Sequence, residues 1–118
     1  MGRSNLQFDP GELPYGYNSG GLVSGGVVVG SGPARLFNLT VTSTSASDQY
    51  VLLFDAPAVP ADGTAAVGAF KVPAGTSAKF DYGWRGMAFQ NGICWSNSST
   101  IPVKTAGAED CFAEANWQ

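Results

Sequence analysis

The side chains able to do chemistry in this 118-residue chain are few, and their types restrict the reactions available. There is no histidine. That removes the commonest general base, the commonest metal ligand and every Ser-His or Cys-His nucleophile pair. The nine carboxylates are Asp9, Glu12, Asp48, Asp55, Asp62, Asp81, Glu109, Asp110 and Glu114. Two of them close together in space could work on a glycosidic bond. Most look otherwise employed: Asp62 lies in an Asp-Gly turn, Asp9 precedes a proline and Asp81 faces outward beside Lys79. Glu109-Asp110 could join a calcium site, but adjacent acids in a loop are more often simply solvated. Cys94 and Cys111 supply two thiolates, too few for zinc. They read as reduced, half-buried thiols packing as small apolar groups; a Cys94–Cys111 bridge is the other reading. Gly20-Gly21 and Gly25-Gly26 match neither phosphate-binding fingerprint, and the sequons at Asn38 and Asn97 read as accidental. The expectation is a protein that is not an enzyme and needs no metal or cofactor.

What remains is aromatic. Trp84 and Arg85 sit between glycines in the loop at residues 82–86, where they could meet a glycan or a protein partner. The plainer reading makes Trp84 a cap on one end of the domain, with Trp95 and Trp117 as core or rim. Residues 1–21 carry Leu6, Phe8, Leu13, Tyr15 and Tyr17 without a period of 2 or 3.6. A free tail would gain nothing from so many large apolar side chains. This block reads as an extended arm lying on a neighbouring subunit, with folding back onto its own domain as the alternative. Phe8, Leu13, Tyr15 and Tyr17 are the expected interface anchors, because aromatic anchors dominate contact energetics.

Composition narrows the partners. Six Lys+Arg against nine Asp+Glu give a net charge of −3, and the basic residues are scattered. No basic stripe for a phosphate backbone can form, so nucleic acid is not an expected partner. Apolar runs fall far short of the roughly 20 residues that span a bilayer, and no apolar stretch follows Arg3 as a secretory signal would require. The chain is therefore expected to be made in a reducing cytosol. Charged residues make up 13% of the chain, about half the usual share. A surface so poor in charge suits a protein that lives against another protein.

The elements that must position these residues are strands. Residues 35–43 alternate, with Phe37, Leu39 and Val41 on one face. Residues 50–54 are apolar throughout and suit a central strand covered on both faces. Residues 27–29 and 67–72 are further strand candidates; residues 77–82 alternate, with Ala78, Phe80 and Tyr82 on one side. In residues 87–95, Met87, Phe89, Ile93 and Trp95 share a parity, interrupted at Asn91-Gly92. That dipeptide fits a hairpin turn or a bulge in one long strand, the bulge being preferred. A last strand runs over residues 111–117. Nothing shows helical periodicity over eleven residues. The expected fold is all-β, an antiparallel β-sandwich or jelly-roll-like barrel over residues 22–118, with the extended arm over residues 1–21.

Several runs then stand out: LFNLTVTSTSASDQYVLLFD (residues 36–55), PAVPADG (57–63), FKVPA (70–74), FDYG (80–83) and FQNGICWSNS (89–98), ending at Thr105. Together they resemble a class of small virion proteins of tailed bacteriophages. The resemblance implies a β-sandwich building block of the particle: a capsid decoration (cement) protein, or a small tail or fibre component. It carries no functional residues to transfer. The implied partner is the major capsid protein or another virion protein, with a homo-oligomer expected and the capsid surface as the location. A carbohydrate-binding sandwich is the rival reading, resting on Trp84 and its neighbours.

Overall fold

A computed structural model describes residues 15–118. Their strands are β1 (Tyr15–Asn18), β2 (Gly25–Val29), β3 (Ala34–Ser43), β4 (Gln49–Phe54), β5 (Gly68–Val72), β6 (Ser77–Asp81), β7 (Met87–Phe89), β8 (Ile93–Ser98) and β9 (Cys111–Trp117). The described residues contain no helix. The order of the strands follows from one long antiparallel hairpin. Its two arms pair β1 with β9, β2 with β8, β3 with β6, and β4 with β5. Wrapping that hairpin adds the pairs β3·β9 and β4·β8 and splits it into two sheets. Sheet A runs β1-β9-β3-β6, with short β7 continuing the β6 edge of β3; sheet B runs β2-β8-β4-β5. This is the jelly-roll form of the sandwich, expected from the alternation and the turn spacing.

Between the sheets lies the main core. Leu36, Leu39 and Val41 of β3 and Ala113 and Ala115 of β9 face Val51 and Leu53 of β4, Ile93 and Trp95 of β8 and Val72 of β5. The doubly apolar run of β4 has the consequence its composition implies. Leu52 and Phe54 point away from that core and form a second cluster with Cys94, covered by Ala56, Ala66 and Ala69. Ala56 and Ala66 belong to the first of two long connections, which pairs with the second. Gly63 N–H donates to the Lys104 carbonyl, Lys104 N–H to Thr64 and Ala66 N–H to Pro102. The outer side of sheet B is thus roofed by a small ribbon, whereas among the described residues no such pairing crosses the outer side of sheet A.

Three details differ from expectation. Alternation in β3 slips at a bulge between Leu36 and Asn38. Leu36 therefore points inward with Leu39 and Val41, and Phe37, expected inside, is only half-buried and belongs to neither cluster. Residues 87–95 are not one bulged strand. β7 joins sheet A and β8 sheet B, and Asn91-Gly92 is the corner between them. Asp55 holds that corner, accepting hydrogen bonds from the N–H groups of Gln90 (3.0 Å) and Asn91 (2.8 Å). Finally, the described part of the expected arm belongs to the sandwich. Tyr15–Asn18 pair along β9, Ser19 N–H donates to the Ala113 carbonyl and Val23 bridges Cys111. The inward aromatic Tyr17 finds apolar neighbours at home, so its burial needs no second subunit. Phe8, Leu13 and the rest of residues 1–14 lie outside the described residues.

Gly92 has φ +143°, and a Cβ there would press on the carbonyls of Ala56 and Val29. Gly92→Ala is expected to destabilise the fold by about 2 kcal/mol or more, read as a lower midpoint in urea unfolding. An unchanged midpoint would show that this corner bears no constraint.

Candidate functional site

The groups picked out as possible chemistry are mostly tied into the scaffold. Asp62 accepts a hydrogen bond from Lys104 Nζ at 2.7 Å and from the Ala106 N–H. Lys104, and after it the Ala106 N–H, hold the Asp62 carboxyl below its ordinary range. Asp48 is lowered by the Ala74 N–H and then by Lys71, whose Nζ is 3.1 Å away. Asp55 caps the corner described above. Cys94 and Cys111 are free thiols and fully buried rather than half-buried. Cys94 faces the outer cluster of sheet B and donates to the Ala56 carbonyl, while Cys111 sits in the main core. They occupy opposite sides of sheet B and do not meet.

The expected interface residues separate. Tyr17 turns inward, and its hydroxyl accepts a hydrogen bond from Trp95 Nε1 at 3.1 Å. Tyr15 stays 56% exposed, its ring tilted against that of Trp117 with the centroids 4.7 Å apart. Trp84 is 83% exposed at the tip of the β6–β7 connection, with the Arg85 guanidinium 5.1 Å from its ring centroid. The loop beneath it is fixed. Tyr82 N–H donates to Phe37, Gly83 N–H to Asp81, and Arg35 Nη1 to the Arg85 carbonyl. Gly83 and Gly86 take the positive φ values that such a tight loop demands. Trp84 is thus a rigidly mounted aromatic with little of its surface covered.

A second surface was not visible in the sequence. On the ribbon over sheet B, Ala65 bridges Val103, and Val67 and Ile101 flank that bridge two residues further along each segment. Val67, Ile101 and Val103 are all exposed. Buried polar groups hold the ribbon in place. Lys104 is only 7% exposed. Ser98 Oγ accepts from the N–H groups of Thr100 and Thr105 and donates to the Thr100 carbonyl. Asn97, fully buried, donates to the Ala108 carbonyl (2.8 Å) and Asp110 (3.1 Å) and accepts from Gly107 N–H. Pairing of residues 63–66 with residues 102–104 is a register fact, which no local pattern reveals.

On the other side, the described residues of the outer face of sheet A form a shallow trough of about 600 Å³ lined mostly by polar side chains. The arrangement defines a jelly-roll β-sandwich that presents one apolar and one polar face. Comparison of the chain with protein-family models, with curated proteins and with solved structures returns no match.

Burial pushes both thiols from 9.0 up to about 11. The unfolded chain releases these protons near pH 9 while the fold retains them, so their contribution to stability is complete below that pH. It is lost between pH 9 and about 11, at about 1.4 kcal/mol per pH unit for each thiol. Tyr82, also raised by burial, works in the same direction above pH 10. Denaturant melts across this range should show the decline, and a thiol-specific colorimetric reagent at pH 8 should label neither cysteine until the chain unfolds. Rapid labelling of the folded protein would contradict this.

Proposed function

We propose that this chain is a non-enzymatic structural protein of a bacteriophage virion, a capsid decoration (cement) protein that attaches to the shell and bridges neighbouring capsid subunits. The observation carrying this reading is the ribbon: three exposed branched aliphatic side chains, Val67, Ile101 and Val103, mounted on a frame of buried polar bonds. A buried lysine paired with a half-exposed aspartate is a costly way to stabilise a loop, and it is reasonable where the loop must keep its shape for a partner. Preorganised apolar residues lose little freedom on binding. The low charge of the chain and its resemblance to small phage virion proteins point the same way.

A specific interface needs roughly 800 Å² per partner, more than the ribbon alone offers. Residues 1–14, with Phe8 and Leu13, are the natural source of the remainder, and a site used many times over a shell raises effective affinity without any single tight contact. The partner is the major capsid protein. A small tail or fibre component would use the same ribbon against a different virion protein.

The test is co-sedimentation with empty shells of the virus that encodes the chain. The full chain should bind saturably. Ile101→Asp or Val103→Asp should weaken binding about tenfold or more while leaving the circular dichroism spectrum unchanged. Shells that ignore the full chain, or bind the variants equally well, would overturn the reading; association with tails instead would move it to the tail.

A further inference from the structure

The outer face of sheet A is ordered into rows by its register. Lys79, Thr40, Glu114 and Asn18 lie side by side across β6, β3, β9 and β1, and Asp81, Asn38, Asn116 and Gly16 form the next row. From these rows we infer that the trough binds an uncharged, hydroxyl-rich saccharide chain laid across the strands. This role is additional to attachment and does not depend on it.

Three observations carry the inference. The first is chemical. Asn116 Nδ2 donates to Asn38 Oδ1 at 3.2 Å, which leaves the Asn38 amide N–H groups and the Asn116 Oδ1 available. Among the described residues, no hydrogen bond or ion pair engages the side chains of Thr40 and Glu114. Amide donors, amide acceptors, a hydroxyl and a carboxylate side by side are what vicinal sugar hydroxyls need, since each hydroxyl both donates and accepts. The second is spacing. Neighbouring strands lie about 4.8 Å apart, close to the length of one pyranose, so successive sugars can meet successive strands. Gly16 ends its row without a side chain, leaving the trough open there. The third is Trp84. Gly86 of its loop packs on Phe37, the side chain that the β3 bulge turns out of the core, next to Asn38. The exposed indole stands on the connection that follows Asp81 of the second row, where it can stack on a sugar face.

Charge selects against other ligands. Lys79 is engaged by Asp81 at 3.8 Å, so among the described residues the unpaired charge in the rows is that of Glu114. An anionic polysaccharide would be repelled. A peptide would find few apolar side chains to bury in the rows.

The experiment uses the free full-length protein, with no shells present. Uncharged gluco-, galacto- and manno-configured hexasaccharides are titrated to millimolar concentration, with polysialic acid as the charged comparison. Binding is followed in nuclear magnetic resonance spectra by the Trp84 indole and the Asn38 and Asn116 side-chain amides. The expected result is a saturable shift of these signals with at least one neutral hexasaccharide and none with polysialic acid. Asn38→Ala and Trp84→Ala, both on the surface, should each weaken binding about tenfold without disturbing signals from the core. Silence with every neutral sugar, shifts that map to the ribbon over sheet B, or binding untouched by both substitutions would overturn the inference. Because no shell is present, none of these outcomes bears on capsid attachment.

Discussion

Everything distinctive about this molecule follows from β4 being apolar on both faces. A strand whose inward residues are Val51 and Leu53 and whose outward residues are Leu52 and Phe54 cannot lie at an open surface. Each large side chain is worth about 2 kcal/mol on burial, and domains of this kind have only about 5–15 kcal/mol of net stability. Leaving Leu52 and Phe54 wet would forfeit a large share of that margin. The connections at residues 55–67 and 99–110 therefore act as a roof, and a roof made of loops must satisfy its own backbone. Lys104, Asn97 and Ser98 meet that need: these are buried polar groups with partners supplied by the loops they hold.

The roof gives the sandwich two unlike sides. Over sheet B the surface presents Val67, Ile101 and Val103 on a fixed ribbon; over sheet A the described residues form a polar sheet face set in rows. A jelly roll places the two faces back to back, so one molecule can hold a protein on one side and display the other to solvent. That geometry underlies both the proposed attachment to a shell and the inferred contact with a saccharide. The carboxylates and thiols, by contrast, are largely absorbed into the scaffold: Asp55 at a corner, Asp62 on Lys104, Asp48 on Lys71, and the cysteines inside.

Much of this was legible along the chain. The alternation of residues 77–82 placed Ala78, Phe80 and Tyr82 against the core, and the unbroken apolar run of residues 50–54 called for cover on both faces. The exceptions have local causes. One inserted residue at the β3 bulge reversed the parity of Phe37, and periodicity cannot detect a single slip. Phe89 and Ile93 share a parity although they belong to different sheets, because the sandwich interior is common to both. Tyr15–Asn18 is four residues long and holds a glycine, so only its pairing with β9 makes it a strand. The sequons at Asn38 and Asn97 mark opposite fates, one in the polar rows and one fully buried. The ribbon and the rows are both products of long-range register, beyond the reach of any local pattern.

The most direct test of the account is native-state amide hydrogen exchange, because its central claim is that the roof over sheet B is as firmly built as the sheets. The amides of Gly63, Ala66 and Lys104, which donate hydrogen bonds within the roof, and of Thr105 and Gly107, which donate to Ser98 and Asn97 of β8, should exchange only through the opening that also releases β4 and β8. Exchange of these amides at loop-like rates while β4 stays protected would mean that the roof opens independently, and the ribbon would then not be the preorganised surface described here.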